Sequence, residues 1–178
     1  MTEGPLLRHI RPDDLSAVWR WTYGTPDPEW KRWDAPYWPL PFVPEALFIE
    51  QALARVDGSW RVIELGGAVR GVVTRHWEDE PAGWLEVGIV IYDPAYWGAG
   101  HGRAALREWT ARCLAETPAH TVTLTTWGGN ARMVRAAARV GYRECARVRE
   151  ARLWDGQRWD SVRMQVLRGE WAGAKGER

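Results

Sequence analysis

The stretch Glu86-Val87-Gly88-Ile89-Val90-Ile91-Tyr92-Asp93-Pro94-Ala95-Tyr96-Trp97-Gly98-Ala99-Gly100-His101-Gly102-Arg103 constrains this chain more than any other. Its apolar residues do not simply alternate, so it predicts a strand from Trp84 to Tyr92 that is covered on both faces and therefore central in a sheet. Asp93-Pro94 ends that strand, and glycines at 98, 100 and 102 open a helix expected from Gly100 to Glu116, with Leu106, Trp109 and Cys113 on one face. Such a turn exposes backbone N–H groups at the positive end of a helix dipole, which suits a pyrophosphate.

Other phosphate loops fit less well. A dinucleotide fingerprint places glycine sixth in GxGxxG, but counting from Gly98 that place is Arg103. A nucleoside-triphosphate loop ends in Gly-Lys-Ser or Gly-Lys-Thr, and His101-Gly102-Arg103 supplies neither. A purely structural use of the glycines, tight packing of helix on strand, stays open at this point.

The context downstream is specific. Thr121 to Trp127 reads as a strand, completing a β-α-β unit, and Asn130 is a good N-cap for a helix carrying Met133, Val134 and Ala137 that Gly141 can end. Tyr142 to Trp154 and Trp159 to Leu167 flank Asp155-Gly156, a hairpin signal. Upstream, Leu7 to Arg11 reads as a strand, Pro12-Asp13-Asp14 as a helix start, and Glu45 to Val56 as a second helix. Ser59 to Leu65 and Ala68 to Trp77 form a hairpin across Gly66-Gly67.

This succession resembles the GNAT superfamily of N-acetyltransferases, and within it the branch similar to the Rim-type ribosomal-protein N-terminal acetyltransferases. The resemblance covers nearly the whole chain and is strongest from Glu86 to Tyr142. The family's loop runs Gln or Arg, two residues, Gly, any residue, Gly or Ala. Here Trp97-Gly98-Ala99-Gly100-His101-Gly102 matches it with Trp97 in the first place, and Tyr96-Trp97-Gly98 is a variant common in the Rim-like branch.

The resemblance implies an α/β (α+β) fold: a mixed, mainly antiparallel central sheet with helices on both faces and splayed central strands. It also implies that backbone N–H groups from Gly98, Ala99, Gly100, His101, Gly102 and Arg103 hold the pyrophosphate of acetyl-CoA. The strand at Val90, Ile91 and Tyr92 would pair with the pantetheine arm, Gly88 would mark the bulge where that strand splays, and Asn130 would reach the arm. His101 is expected to turn its ring to solvent, and the Arg103 side chain either adds a phosphate contact or is solvated.

Acylation of an amine needs a neutral nucleophile, a polarised thioester carbonyl and often a proton donor for the thiolate. Glu86 is the candidate base, helped if its surroundings are apolar; its plainer reading is a carboxylate facing solvent or paired with arginine. The family's usual acid, a tyrosine seven residues after the asparagine, is Ala137 here, and the serine some Rim-like members place three residues after it is Met133. Tyr142 and Tyr92 are the remaining hydroxyls. Tyr142 is a weak candidate acid, since it stands where the family has a packing aromatic. A non-catalytic acyl-CoA-binding or regulatory module is the alternative, and protein N-termini, polyamines, amino acids and antibiotic amines are all open as acceptors.

The chain's 178 residues suit one domain, with a polar tail over about 172–178. With 24 basic and 23 acidic residues the charge nearly cancels, so nucleic acid is not an expected partner. No apolar run approaches the ~20 residues that span a bilayer, and no signal peptide is apparent at Met1 to Arg11, so no membrane partner and a cytoplasmic location are expected. The four histidines make no metal-ligand spacing, and Cys113 and Cys145 are expected to be buried thiols. Asp79 and Glu80 are expected to solvate a turn. Of 14 tryptophans, five crowd between Trp19 and Trp38 among prolines, as a substrate-side wall or as anchors pinning a loop. Exposed tryptophans on the terminal hairpin could seed a homodimer.

Overall fold

The structure, a computed structural model, describes residues 4–54 and 57–171. Among the described residues seven strands form one mixed sheet in the order β1-β2-β3-β4-β5-β7-β6, accompanied by four α-helices. The strands are β1 (Leu6–Arg8), β2 (Trp60–Leu65), β3 (Ala68–Asp79), β4 (Trp84–Ile91), β5 (Thr121–Trp127), β6 (Arg143–Trp154) and β7 (Gln157–Leu167). The helices are α1 (Asp14–Tyr23), α2 (Glu45–Leu53), α3 (His101–Glu116) and α4 (Ala131–Val140). β4, whose apolar residues do not simply alternate, takes the fourth of the seven places and pairs in parallel with β5, whereas β1–β2, β2–β3, β5–β7 and β6–β7 are antiparallel.

The chain divides into two compact units, both of which draw on β3 and β4. The first comprises residues up to Thr74 with Ile89–Ala105. Its core gathers Leu15 and Val18 of α1, Ala52 of α2, Val62 and Val72 of the β2–β3 hairpin, Trp30 and Tyr92. Gly66 and Gly67 both take positive φ, +58° and +73°, the twist a two-residue hairpin turn needs. Arg8 binds Asp14 through both terminal nitrogens, at 2.6 and 2.8 Å, and Glu64 through Nε at 2.6 Å, tying β1 to α1 and β2. β1 starts at Leu6 and stops at Arg8, short of the expected Arg11; its three residues pair with Val62 to Glu64 of β2. α2 ends at Leu53; Arg55 and Val56, the last residues expected in it, lie outside the described residues, as does the polar tail.

The second unit comprises Arg75–Gly88 and the residues from Leu106 onward. On β5 and β7 Val122, Leu124, Val162, Met164 and Val166 are buried beside Leu85, Val87, Trp109 and Tyr142. The alternate residues Thr123, Thr125, Arg163 and Gln165 point to the other face of the same strands. α4 is bounded as expected: the Asn130 side chain accepts from Met133 N–H at 3.1 Å, and Gly141 ends it at φ +117°. β6 is the last strand of the sheet, and its residues from 143 to 151 are all exposed. This corrects the expectation for Cys145: Cys113 is buried in α3, but Cys145 lies on the outermost strand and is exposed. Its register on β7 shifts between Val148 and Arg152, and Glu150 there adopts φ +56°.

Candidate active site

The glycine loop lies in the first unit. Asp93 caps a short 3-10 turn, Pro94–Tyr96, by accepting from Ala95 N–H at 3.0 Å, and its other oxygen meets Arg70 at 3.2 Å. The loop that follows needs two left-handed glycines, Gly98 at φ +82° and Gly100 at +89°, a conformation costly for other residues. The first helical bond of α3 runs from Ala104 N–H to Gly100 O, so the N–H groups from Gly98 to Arg103 find no partner among the described residues. The space in front of Gly98 is open within 4 Å, and the Arg103 guanidinium comes within 3.7 Å of where a Cβ on Gly100 would stand. An open row of N–H donors with an arginine over it fits an anionic phosphate group.

Around this loop the side chains are fixed. Trp97 donates from Nε1 to Ile91 O at 2.9 Å. His101 is only 8 % exposed, its ring 5.9 Å from that of Tyr96, which corrects the expectation that it faces solvent. Tyr92 is buried, stacked on Trp21 and edge-on to Trp30; burial pushes its hydroxyl well above the ordinary tyrosine range, so it is a neutral packing residue. The tryptophan-rich loop is anchored: Trp19 donates to Val43 O, Trp21 to Val69 O and Trp30 to Trp21 O. Trp38 alone among those five is largely exposed.

Glu86, Asn130 and Tyr142 lie in the second unit. Glu86 is 7 % exposed and sits opposite Thr123, the last residue pair of the β4–β5 ladder, which covers only Trp84–Glu86 and Thr121–Thr123. Beyond it β5 continues to Trp127 paired with β7. The end of pairing leaves main-chain groups of β5 from Leu124 onward facing away from β7 without a strand partner among the described residues, as splayed strands require. The surroundings of Glu86 are polar rather than apolar: Oε2 accepts from Thr123 Oγ1 at 2.5 Å and lies 3.7 Å from Arg163 Nη2. The arginine-paired alternative is therefore what this carboxylate's geometry displays.

Tyr142 is buried, and its hydroxyl meets Thr110 Oγ1 of α3 at 2.7 Å. Burial raises its pKa above the ordinary range, against the smaller opposing effect of the Thr110 bond. The packing reading thus accounts for it. Ala137, at the usual donor position, is fully buried on α4. Trp154 and Trp159 are half-buried with their rings 5.3 and 5.1 Å from Trp127, so the exposed apolar residues of the hairpin are Val148 and Leu153 instead. Asp79 does serve its turn, accepting from Ala82 N–H at 3.1 Å. No cluster of three His, Cys, Asp or Glu side chains able to hold a metal occurs among the described residues, nor is any described helix long and apolar enough to cross a membrane.

Residues 6–143 match the acetyltransferase (GNAT) domain family. The chain belongs to the GNAT acetyltransferases. GNAT enzymes use acetyl-CoA as acyl donor and transfer its acetyl group to an amine, and the chain is an acetyltransferase of this family. Its fold is similar to that of a GNAT-family acetyltransferase from Bacillus anthracis, with a TM-score of 0.74 at 19% identity over 96% of this chain and 98% of that one. It is similar to spermidine N-acetyltransferase from Vibrio cholerae in complex with CoA and spermine, with a TM-score of 0.78 at 18% identity over 94% and 98%. It is also similar to ribosomal-protein-alanine N-acetyltransferase from Brucella melitensis, with a TM-score of 0.70 at 19% identity over 91% and 99%. No curated protein sequence matches the chain significantly. The similar GNAT folds thus include spermidine enzymes beside a ribosomal-protein enzyme, and they do not single out the Rim-like branch.

Three residues around Glu86 escaped the sequence reading: Trp84, Thr123 and Arg163. Each is on the polar face of β4, β5 or β7, and their only signal was the alternation of Thr and Arg with buried valine and methionine on those strands.

Proposed function

We propose that this GNAT protein transfers the acetyl group of acetyl-CoA to a primary amine, on a small molecule or a protein N-terminus, by direct attack. The amine nitrogen bonds to the thioester carbonyl carbon, the carbon–sulfur bond breaks, and the amine's surplus proton passes to Glu86. The departing thiolate takes its proton from solvent, since Tyr142 is bound to Thr110. Support comes chiefly from one observation: a carboxylate almost wholly buried at the end of the β4–β5 ladder, with one oxygen held and the other unpartnered among the described residues. The loop N–H groups from Gly98 to Arg103 would take the pyrophosphate, Val90, Ile91 and Tyr92 would flank the pantetheine arm, and Asn130 would reach it while capping α4.

Calorimetry with acetyl-CoA, followed by thiol release over a panel of spermidine, peptides with N-terminal alanine and free amino acids, tests this reading. We expect micromolar-range binding and amine-dependent thiol release that Glu86→Gln lowers by roughly 100-fold or more, in the range general-base removal gives. Release unaffected by Glu86→Gln would reject Glu86 as base. Binding without release from any amine would favour the acyl-CoA-binding module, the reading prompted by Ala137 and Met133 at the usual donor positions.

A further inference from the structure

We propose that Arg163 is a positioning residue for acetyl transfer, which together with Thr123 fixes one oxygen of Glu86 so that only Oε1 meets the acceptor amine. The inference rests on Glu86 being the amine-facing carboxylate and assigns how that group is held.

The direction of the hydrogen bonds follows from donor chemistry. The Trp84 indole N–H can only donate, and it donates to Thr123 Oγ1 at 2.8 Å. The Thr123 hydroxyl hydrogen is then free to point at an acceptor, and two are in range: Glu86 Oε2 at 2.5 Å and Leu85 O at 3.4 Å. The shorter bond to a charged oxygen wins, because a charge-assisted hydrogen bond is roughly twice as strong as a neutral one. Trp84, Thr123 and Glu86 therefore form a one-way relay that loads Oε2.

Arg163 completes the clamp from β7. Its guanidinium lies over the Trp84 ring, 5.0 Å from the centroid, and its Nε donates to Thr125 Oγ1 at 3.1 Å. Held in this way, Nη2 stands 3.7 Å from Glu86 Oε2 and 3.7 Å from Glu78 Oε1 on β3. The arginine thus bridges two carboxylates from a plane set by an aromatic face and a hydroxyl. Cys145 of β6 and Tyr142 also feel the charge of Glu86. Oε1 has no hydrogen bond among the described residues and is not one of the enclosed unpaired atoms, so it is the oxygen left for substrate.

A carboxylate fixed through one oxygen can rotate little, and a displacement of the order of 1 Å at a reacting group can cost about 100-fold in rate. The test is a double-mutant cycle with Arg163→Met, Glu86→Gln and the pair, read as kcat and KM for the best amine of the panel, with acetyl-CoA binding by calorimetry and thermal unfolding as controls. We expect Arg163→Met to lower kcat by tenfold or more with acetyl-CoA binding retained. Arg163→Lys, which keeps the charge but loses the planar fork and the Nε bond to Thr125, should recover only part of that loss, and Arg163→Met should have no further effect in the Glu86→Gln background. Wild-type kcat in Arg163→Met, or a loss that is fully additive with Glu86→Gln, would overturn the proposal. If Glu86→Gln alone turns over like wild type, it is the base reading beneath it that fails.

Discussion

Tyr142 and Thr110 share a hydroxyl contact in a part of the second unit from which water is excluded, and its energetics are those of structure. Removing the tyrosine oxygen leaves the Thr110 hydroxyl with its bond to Leu106 O alone. A buried hydrogen bond contributes about 1 kcal/mol net, so Tyr142→Phe should lower the unfolding free energy by roughly that amount, measured by urea denaturation with an unchanged slope. Residues whose roles are local were legible from sequence: Asn130 as a cap and Gly141 as a helix stop act within four positions of themselves. The partners of Glu86 were not, because Thr123 is opposite it only through the parallel register, and Arg163 comes from a strand two places away in the sheet. His101 misled for a similar reason: its position in a glycine loop suggested solvent, and the Tyr96 ring covers it.

At the scale of elements, α1 is fastened to the first unit through Asp14. Hydrogen bonds from Arg8, and then from Arg11 N–H at 2.7 Å, hold the Asp14 carboxyl below its ordinary value of 3.8, outweighing partial burial. A carboxyl with a folded-state pKa below its unfolded one contributes stability that is fully present above the unfolded value and lost as pH falls through the folded one. Acid titration of the denaturation midpoint should therefore decline below about pH 4, and Asp14→Asn should flatten that part of the curve while lowering stability at neutral pH. The hairpins at Gly66-Gly67 and Asp155-Gly156 were legible as elements, since their turns need the left-handed angles these residues accept, +58° and +73° in one and +51° and +69° in the other. The end of β1 was not, because three residues are too few for an alternating pattern to mark where a strand stops.

For the whole molecule, a ligand that binds only the folded chain raises its stability by mass action. At 100 times its dissociation constant acetyl-CoA should add about 2.7 kcal/mol, a shift of roughly 5–10 °C in the unfolding midpoint for a chain of this size, seen by tryptophan fluorescence. Absence of a shift at millimolar acetyl-CoA would count against the glycine loop as its site. The outermost strand carries a separate consequence for colloidal behaviour. β6 presents Arg143, Glu144, Arg147, Arg149, Glu150 and Arg152 along its length, and its register slips midway. An incoming strand from another molecule would meet a row of charged side chains and a broken ladder, so this edge resists the open-ended strand addition that seeds fibrils. Assembly of this chain with itself is thereby steered away from this edge of the sheet.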